Sequence, residues 1–156
     1  SIDGQIRTLS RGAQVFEQDS IVTGPNGFAQ LRMVDSAIIS LRADTQYAFR
    51  EYVFDDNPGT DDSAVMELVR GGFRTITGSI SEGENDTYRV QTAFANIGVR
   101  GTTHEAVINF NTLFTGVTDG GTTVSKPVPS ILMTQISVKP GPFPSNSANP
   151  FDPLLL

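Results

Sequence analysis

The 156-residue chain has no cysteine and no tryptophan, and His104 is its single histidine. The absence of cysteine excludes disulfide bonds and thiolate-bound zinc. A single histidine excludes metal motifs that need two, such as HExxH. No apolar run approaches the ~20 residues of a membrane-spanning helix, so we expect no direct membrane insertion.

Positive charge is also scarce. Lysine and arginine together number 11 against 17 aspartates and glutamates, which gives a formal net charge of −6. The arginines are spaced singly, so they form no basic stripe. These features argue against nucleic acid or an anionic membrane surface as a partner. The length is that of one domain with a single core.

What the sequence does contain is short alternating segments separated by turn residues, the pattern typical of β-strands. In one of them Tyr88 and Val90 alternate with Arg89 and Gln91, which indicates a half-buried sheet. The segment 62–72 also fits a short helix, but we favour a strand. The pattern predicts about twelve short strands, at residues 5–9, 28–34, 37–41, 46–53, 65–69, 73–77, 87–91, 96–100, 104–108, 113–118, 122–125 and 131–138. The fold class is therefore all-β, either a β-solenoid-like fold or a β-sandwich.

Turn chemistry and composition set the expected boundaries. The stretch TDGGTTV predicts a hairpin at Asp119 and Gly120. After Lys139 five prolines follow without periodicity. We therefore expect one domain over residues 1–139 and an extended tail or linker over 140–156. The strand-like pattern at the first residues suggests a processed or trimmed N-terminus.

The neighbouring His104 and Glu105 are the first candidates for catalysis. Consecutive residues of a strand point to opposite faces, so these two side chains cannot form an acid–base pair there. The sequence also lacks the GxSxG motif of serine hydrolases. We therefore expect no enzymatic activity, no cofactor and a structural or surface role for His104.

Three other groups are candidate binding residues. The loop DDNPGTDD carries Asp55, Asp56, Asp61 and Asp62, a possible calcium site, although a solvated hairpin tip fits the spacing better. Tyr47 and Tyr52 offer aromatic rings for a glycan, although a core position is the alternative. In VRGT, Gly101 predicts a bulge or tight corner that Arg100 braces, and Arg100, Thr102 and His104 are candidate contacts for a partner.

Three stretches, in order, carry a resemblance to a known family: GQIRTLSRGAQVFEQDSIVTGPNGFAQLRMVDSAIISLRADTQYAF, LVRGGFRTITG and YRVQTAFANIGVRGTTHEAV. Together with LFTGVTDGGTTVS they resemble the FecR domain, named for the ferric citrate regulator of bacterial cell-surface signalling. The resemblance covers roughly residues 4–139. Departures from the family pattern occur at Gln18, Ala43, Phe94 and His104.

The resemblance implies a non-enzymatic β-domain of the bacterial periplasm or cell surface, or a secreted one. It implies recognition of another envelope protein in cell-surface signalling or envelope assembly. A glycan- or small-ligand-binding module is the alternative. The signalling regulators carry a helical anti-sigma segment and one membrane helix before this domain. Because neither pattern is found here, we expect a periplasmic or secreted FecR-domain protein without that segment.

Overall fold

The computed structural model describes residues 6–55, 57, 61–82, 87–127 and 135–140. Within these residues nine β-strands belong to a single sheet, with one 3-10 turn at Ser79–Ser81. The all-β, single-domain prediction is confirmed. The strands are β1 (Ser20–Val22), β2 (Ala29–Arg32), β3 (Ile38–Leu41), β4 (Gln46–Val53), β5 (Ser63–Ile76), β6 (Thr87–Thr92), β7 (Asn96–Asn109), β8 (Thr112–Ser125) and β9 (Gln135–Pro140).

Strands β5, β7 and β8 are each 14 residues long and join two halves of the sheet. The first part of β5 pairs with β4 and β6, and its last residues pair with β3 and β7. The first half of the sheet therefore holds β1, β4 and β6, and the second holds β2, β3 and β9. Because β6 also pairs with β7, strands β5, β6 and β7 form a closed, barrel-like ring.

The two halves pack against each other through an apolar core. The ring of Tyr47, in β4, lies 5.0 Å from the ring of Phe73, in the second part of β5. Parallel pairing occurs only between β5 and β6 and between β8 and β9 in the described chain, whereas a solenoid stacks parallel rungs. The facing halves correspond to a sandwich with barrel-like closure.

The strand count differs from the predicted twelve chiefly because three pairs of predicted strands are continuous. Glycines inside them take a positive φ without ending the strand: Gly71 at +81°, Gly101 at +136° and Gly120 at +104°. The hairpin predicted at Asp119 and Gly120 is wrong, because both residues lie within β8.

The observed hairpin connects β7 to β8 through Phe110 and Asn111. The strand preferred over a helix at 62–72 is confirmed by β5, which begins at Ser63. Residues 6–9 form no strand, contrary to the prediction for 5–9, and β1 was not predicted. Strand β9 ends at Pro140, and residues 141–156 lie outside the described residues, so the predicted tail stays a prediction.

Candidate functional site

The VRGT bend is built from two glycines that face each other across β7 and β8. Gly101 pairs with Gly120, and the register of the two strands shifts on both sides of Thr103. A Cβ atom on Gly101 would lie 2.3 Å from the carbonyl oxygen of Asp119, which is closer than atoms can approach. The predicted bulge is confirmed, and it bends one continuous strand instead of separating two.

The candidate contacts at this bend do not share a surface. The side chain of Arg100 is exposed, and Thr102 lies in the same strand. His104 is fully buried, so it cannot contact a partner at the surface beside Arg100. The predicted set of three contacts is therefore wrong for His104, because this residue faces the core.

His104 is held as a neutral ring. Its Nε2 atom lies 2.9 Å from Oγ1 of Thr115, and that hydroxyl donates to the carbonyl oxygen of Glu105 at 3.2 Å. Since the Thr115 proton is used there, His104 donates from Nε2 and its Nδ1 carries no proton. Phe73 packs edge-on at 5.4 Å. Burial lowers the pKa of His104 to about 3, because a charged ring would lose its hydration.

Glu105 belongs to a different environment from His104. It lies between Arg74 of β5 and Gly116 of β8 in the sheet register. Burial lowers the pKa of Arg42, and the nearby charge of Glu105 acts in the opposite direction. The histidine thus interacts with Thr115 and the glutamate with Arg42, as expected for consecutive residues of a strand.

The two tyrosines proposed for a glycan differ in burial, and both contact other residues of the domain. Tyr47 is fully buried between Phe49 and Phe73. Tyr52 is half-buried and donates a hydrogen bond of 2.6 Å to Oδ1 of Asp35. A sugar could stack on Tyr47 only if the core opened, so the core alternative is correct for this residue.

The acidic loop is organised around Asp62. This nearly buried carboxylate accepts a hydrogen bond of 3.1 Å from the backbone N–H of Asp55, which closes the loop between β4 and β5. Asp55 and Asp61 are exposed, and Asp56 lies outside the described residues. The part of the chain that the structure describes contains no group of three or more acidic, histidine or cysteine side chains placed for a metal ion.

Sequence reasoning missed Asp35, which connects three parts of the fold. Its Oδ1 accepts from the N–H of Ala37 at 3.1 Å as well as from Tyr52. Its carbonyl oxygen accepts from the N–H of Ser79, in the 3-10 turn, at 3.1 Å. The sequence pattern that could have indicated this role is an aspartate between two apolar segments, which is typical of an Asx turn.

Sequence reasoning also did not locate the open edge of β2. Among the described strands, β2 pairs with β3 alone. Met33 donates to the carbonyl oxygen of Ala37, so the alternate residues Gln30 and Arg32 point their N–H and C=O groups away from β3. Phe28 and Val34, at the two ends of the strand, are 48% and 74% exposed.

The family model described as FecR protein matches residues 19–124, from just before β1 to the end of β8. The chain belongs to the FecR family. This confirms the resemblance carried by the three sequence stretches. No curated protein matches the chain.

Two crystal structures share the fold of this FecR chain. Each is of a candidate anti-sigma factor from Parabacteroides distasonis ATCC 8503, with TM-scores of 0.54 and 0.53 and 17% sequence identity. Each alignment covers 70% of the FecR chain but 47% and 48% of the solved chains, so the FecR chain spans about half their length. No helix within its described residues is long and apolar enough to span a membrane.

Proposed function

We propose that this FecR domain is a protein-interaction module of cell-surface signalling in the bacterial envelope, and that it binds a partner strand at the open edge of β2. Membership of the FecR family and a fold shared with a candidate anti-sigma factor support the signalling role. The proposal includes a periplasmic or extracellular location for this domain.

The open edge of β2 is the observation that carries the binding mode. The outward groups of Gln30 and Arg32 can form the ladder of an added strand, which is how β-augmentation binds extended peptides. Phe28 and Val34 supply exposed apolar contacts at either end. Residues 28–34 contain neither proline nor lysine, two residue types that commonly block a sheet edge.

The proposed role involves no catalysis. Burial of His104 and its bond to Thr115 support this, because a general base must reach its substrate. The partner is another envelope protein. The glycan alternative has no support from Tyr47 or Tyr52, and a pull-down with insoluble peptidoglycan tests it separately.

The binding test uses proline to remove one outward N–H group. Gln30→Pro removes a donor from the open edge without touching the β2–β3 ladder. Val22→Pro is the matched control. Val22 lies in β1, and because its neighbour Thr23 donates the ladder bond to Thr45, the N–H of Val22 points away from β4. An envelope protein captured by the immobilised chain is identified, purified and titrated against all three forms.

We expect Gln30→Pro to weaken the measured affinity about tenfold or more, as loss of central ladder bonds should. Val22→Pro should leave the affinity nearly unchanged, and all forms should keep the same circular dichroism spectrum. Equal binding by Gln30→Pro and the natural chain would reject the β2 edge. Binding to peptidoglycan alone would favour the glycan alternative.

A further inference from the structure

The two faces of β2 and its flanking residues differ in burial. The outer face is exposed, and it carries Phe28, Gln30, Arg32 and Val34. The inner face packs against the core but stays half-buried, and it carries Ala29, Leu31 and Met33. Among the described strands β2 has a neighbour on one side alone, which leaves these apolar side chains partly accessible. A strand added at the open edge would complete their burial.

A second copy of β2 matches this edge in one antiparallel register. The residues that point their N–H and C=O groups outward must lie opposite each other, so the register can shift only in steps of two residues. With Leu31 opposite Leu31 of the second copy, Gln30 lies opposite Arg32, and Phe28 opposite Val34. A shift in one direction places Arg32 opposite its own copy, where like charges repel, and a shift in the other places it opposite Phe28.

We propose that the chain forms a weak, reversible dimer in which β2 pairs with β2 of a second copy in this register. Phe28 and Val34 form an aromatic–β-branched pair at each end, and residues 28–34 contain no carboxylate. The same surface is used by both copies, so the interface closes at two copies and covers both open edges. The dimer therefore competes with the envelope partner for β2, and this competition alone rests on the proposed function.

The first test changes the charge at the exposed Gln30. Gln30→Glu places a carboxylate opposite Arg32 of the second copy, twice in the dimer, and should lower the dimer dissociation constant about fivefold. Gln30→Lys places like charges there and should raise the constant by a similar factor. Net charge alone predicts the reverse order, because the chain carries −6 and the glutamate makes it more negative.

Sedimentation equilibrium of the chain alone, from micromolar to millimolar concentration, measures these constants. Circular dichroism checks that both variants keep the fold of the natural chain. Equal constants for the two variants, or the order set by net charge, would overturn the register. A natural chain that stays monomeric up to millimolar concentration would overturn the dimer itself.

The second test uses the absence of cysteine from the chain, so that one introduced thiol reports one position. Leu31→Cys places two thiols directly opposite each other in the dimer, within the range of a disulfide bond. Gln30→Cys is the matched control, because its thiol is more exposed but lies diagonal to its own copy, too far for a disulfide.

Under mild oxidation we expect Leu31→Cys to form the covalent dimer faster than Gln30→Cys, although random collision would favour the exposed position. Equal or faster cross-linking by Gln30→Cys would overturn the proposal. Neither test contains the envelope partner. Loss of the dimer would therefore leave partner binding at β2 intact, and failure of the partner test would leave the dimer intact.

Discussion

At the scale of the residue, His104 makes the stability of the domain depend on pH. Its pKa is lowered to about 3 in the folded chain, while an unfolded histidine titrates near 6.5. Between these values the unfolded chain binds a proton that the folded chain does not. The contribution of neutral His104 is therefore complete above about pH 6.5 and is lost as the pH falls toward 3.

We expect the free energy of unfolding to fall by about 2 kcal/mol between pH 7.5 and 5 through His104 alone. Urea denaturation at the two pH values measures this. His104→Gln is the control, because its amide can still donate to Thr115 but does not titrate. Subtracting its pH dependence removes the contribution of the carboxylates. If both forms lose the same stability on acidification, His104 is not the acid-sensitive group.

At the scale of the element, the paired glycines determine whether β7 and β8 can bend. Gly101→Val would place a branched side chain at a φ of +136° and against the Asp119 carbonyl oxygen at 2.3 Å. We expect a loss of about 3 kcal/mol or more, measured as a lower urea midpoint and a lower Tm.

Gly12→Ala separates backbone strain from the clash. Gly12 also has a positive φ, +83°, but no atom lies within 4 Å of the added Cβ position. It should cost only about 1 kcal/mol, from strain alone. An unchanged Tm for Gly101→Val would contradict the bend as we describe it.

The same elements show what sequence can and cannot predict. The bounds of β4 follow from local alternation, and the predicted 46–53 matches Gln46–Val53. The continuity of β7 depends on Gly120, a residue of another strand, so a glycine that bends a strand cannot be told locally from one that ends it. The inward position of His104 likewise depends on Phe73 and Thr115, and the role of Asp35 depends on Tyr52.

At the scale of the whole molecule, β5 and β7 should be the most protected part of the fold. Strand β5 is paired on both sides along most of its length and links the two halves of the sheet. Its amides can exchange with solvent only when much of the sheet opens. Strand β2 has one partner strand, so local opening exposes it.

Native-state hydrogen exchange followed by NMR measures this difference. We expect the amides of Met66 and Ala106 to exchange only through global unfolding, and those of Gln30 and Arg32 to exchange far faster. Exchange of the β5 amides at the rate of those in β2 would contradict this order of protection.

The closed ring of β5, β6 and β7 also determines the order in which a growing chain can fold. Strand β5 is complete only when residues 103–108 of β7 pair with it. A chain synthesised from its N-terminus therefore carries a long strand with an incomplete edge until β7 follows. Such edges are templates for aggregation. We therefore expect the edge of β5 that pairs with β7 to lack its partner between the synthesis of Ile76 and that of Ile108.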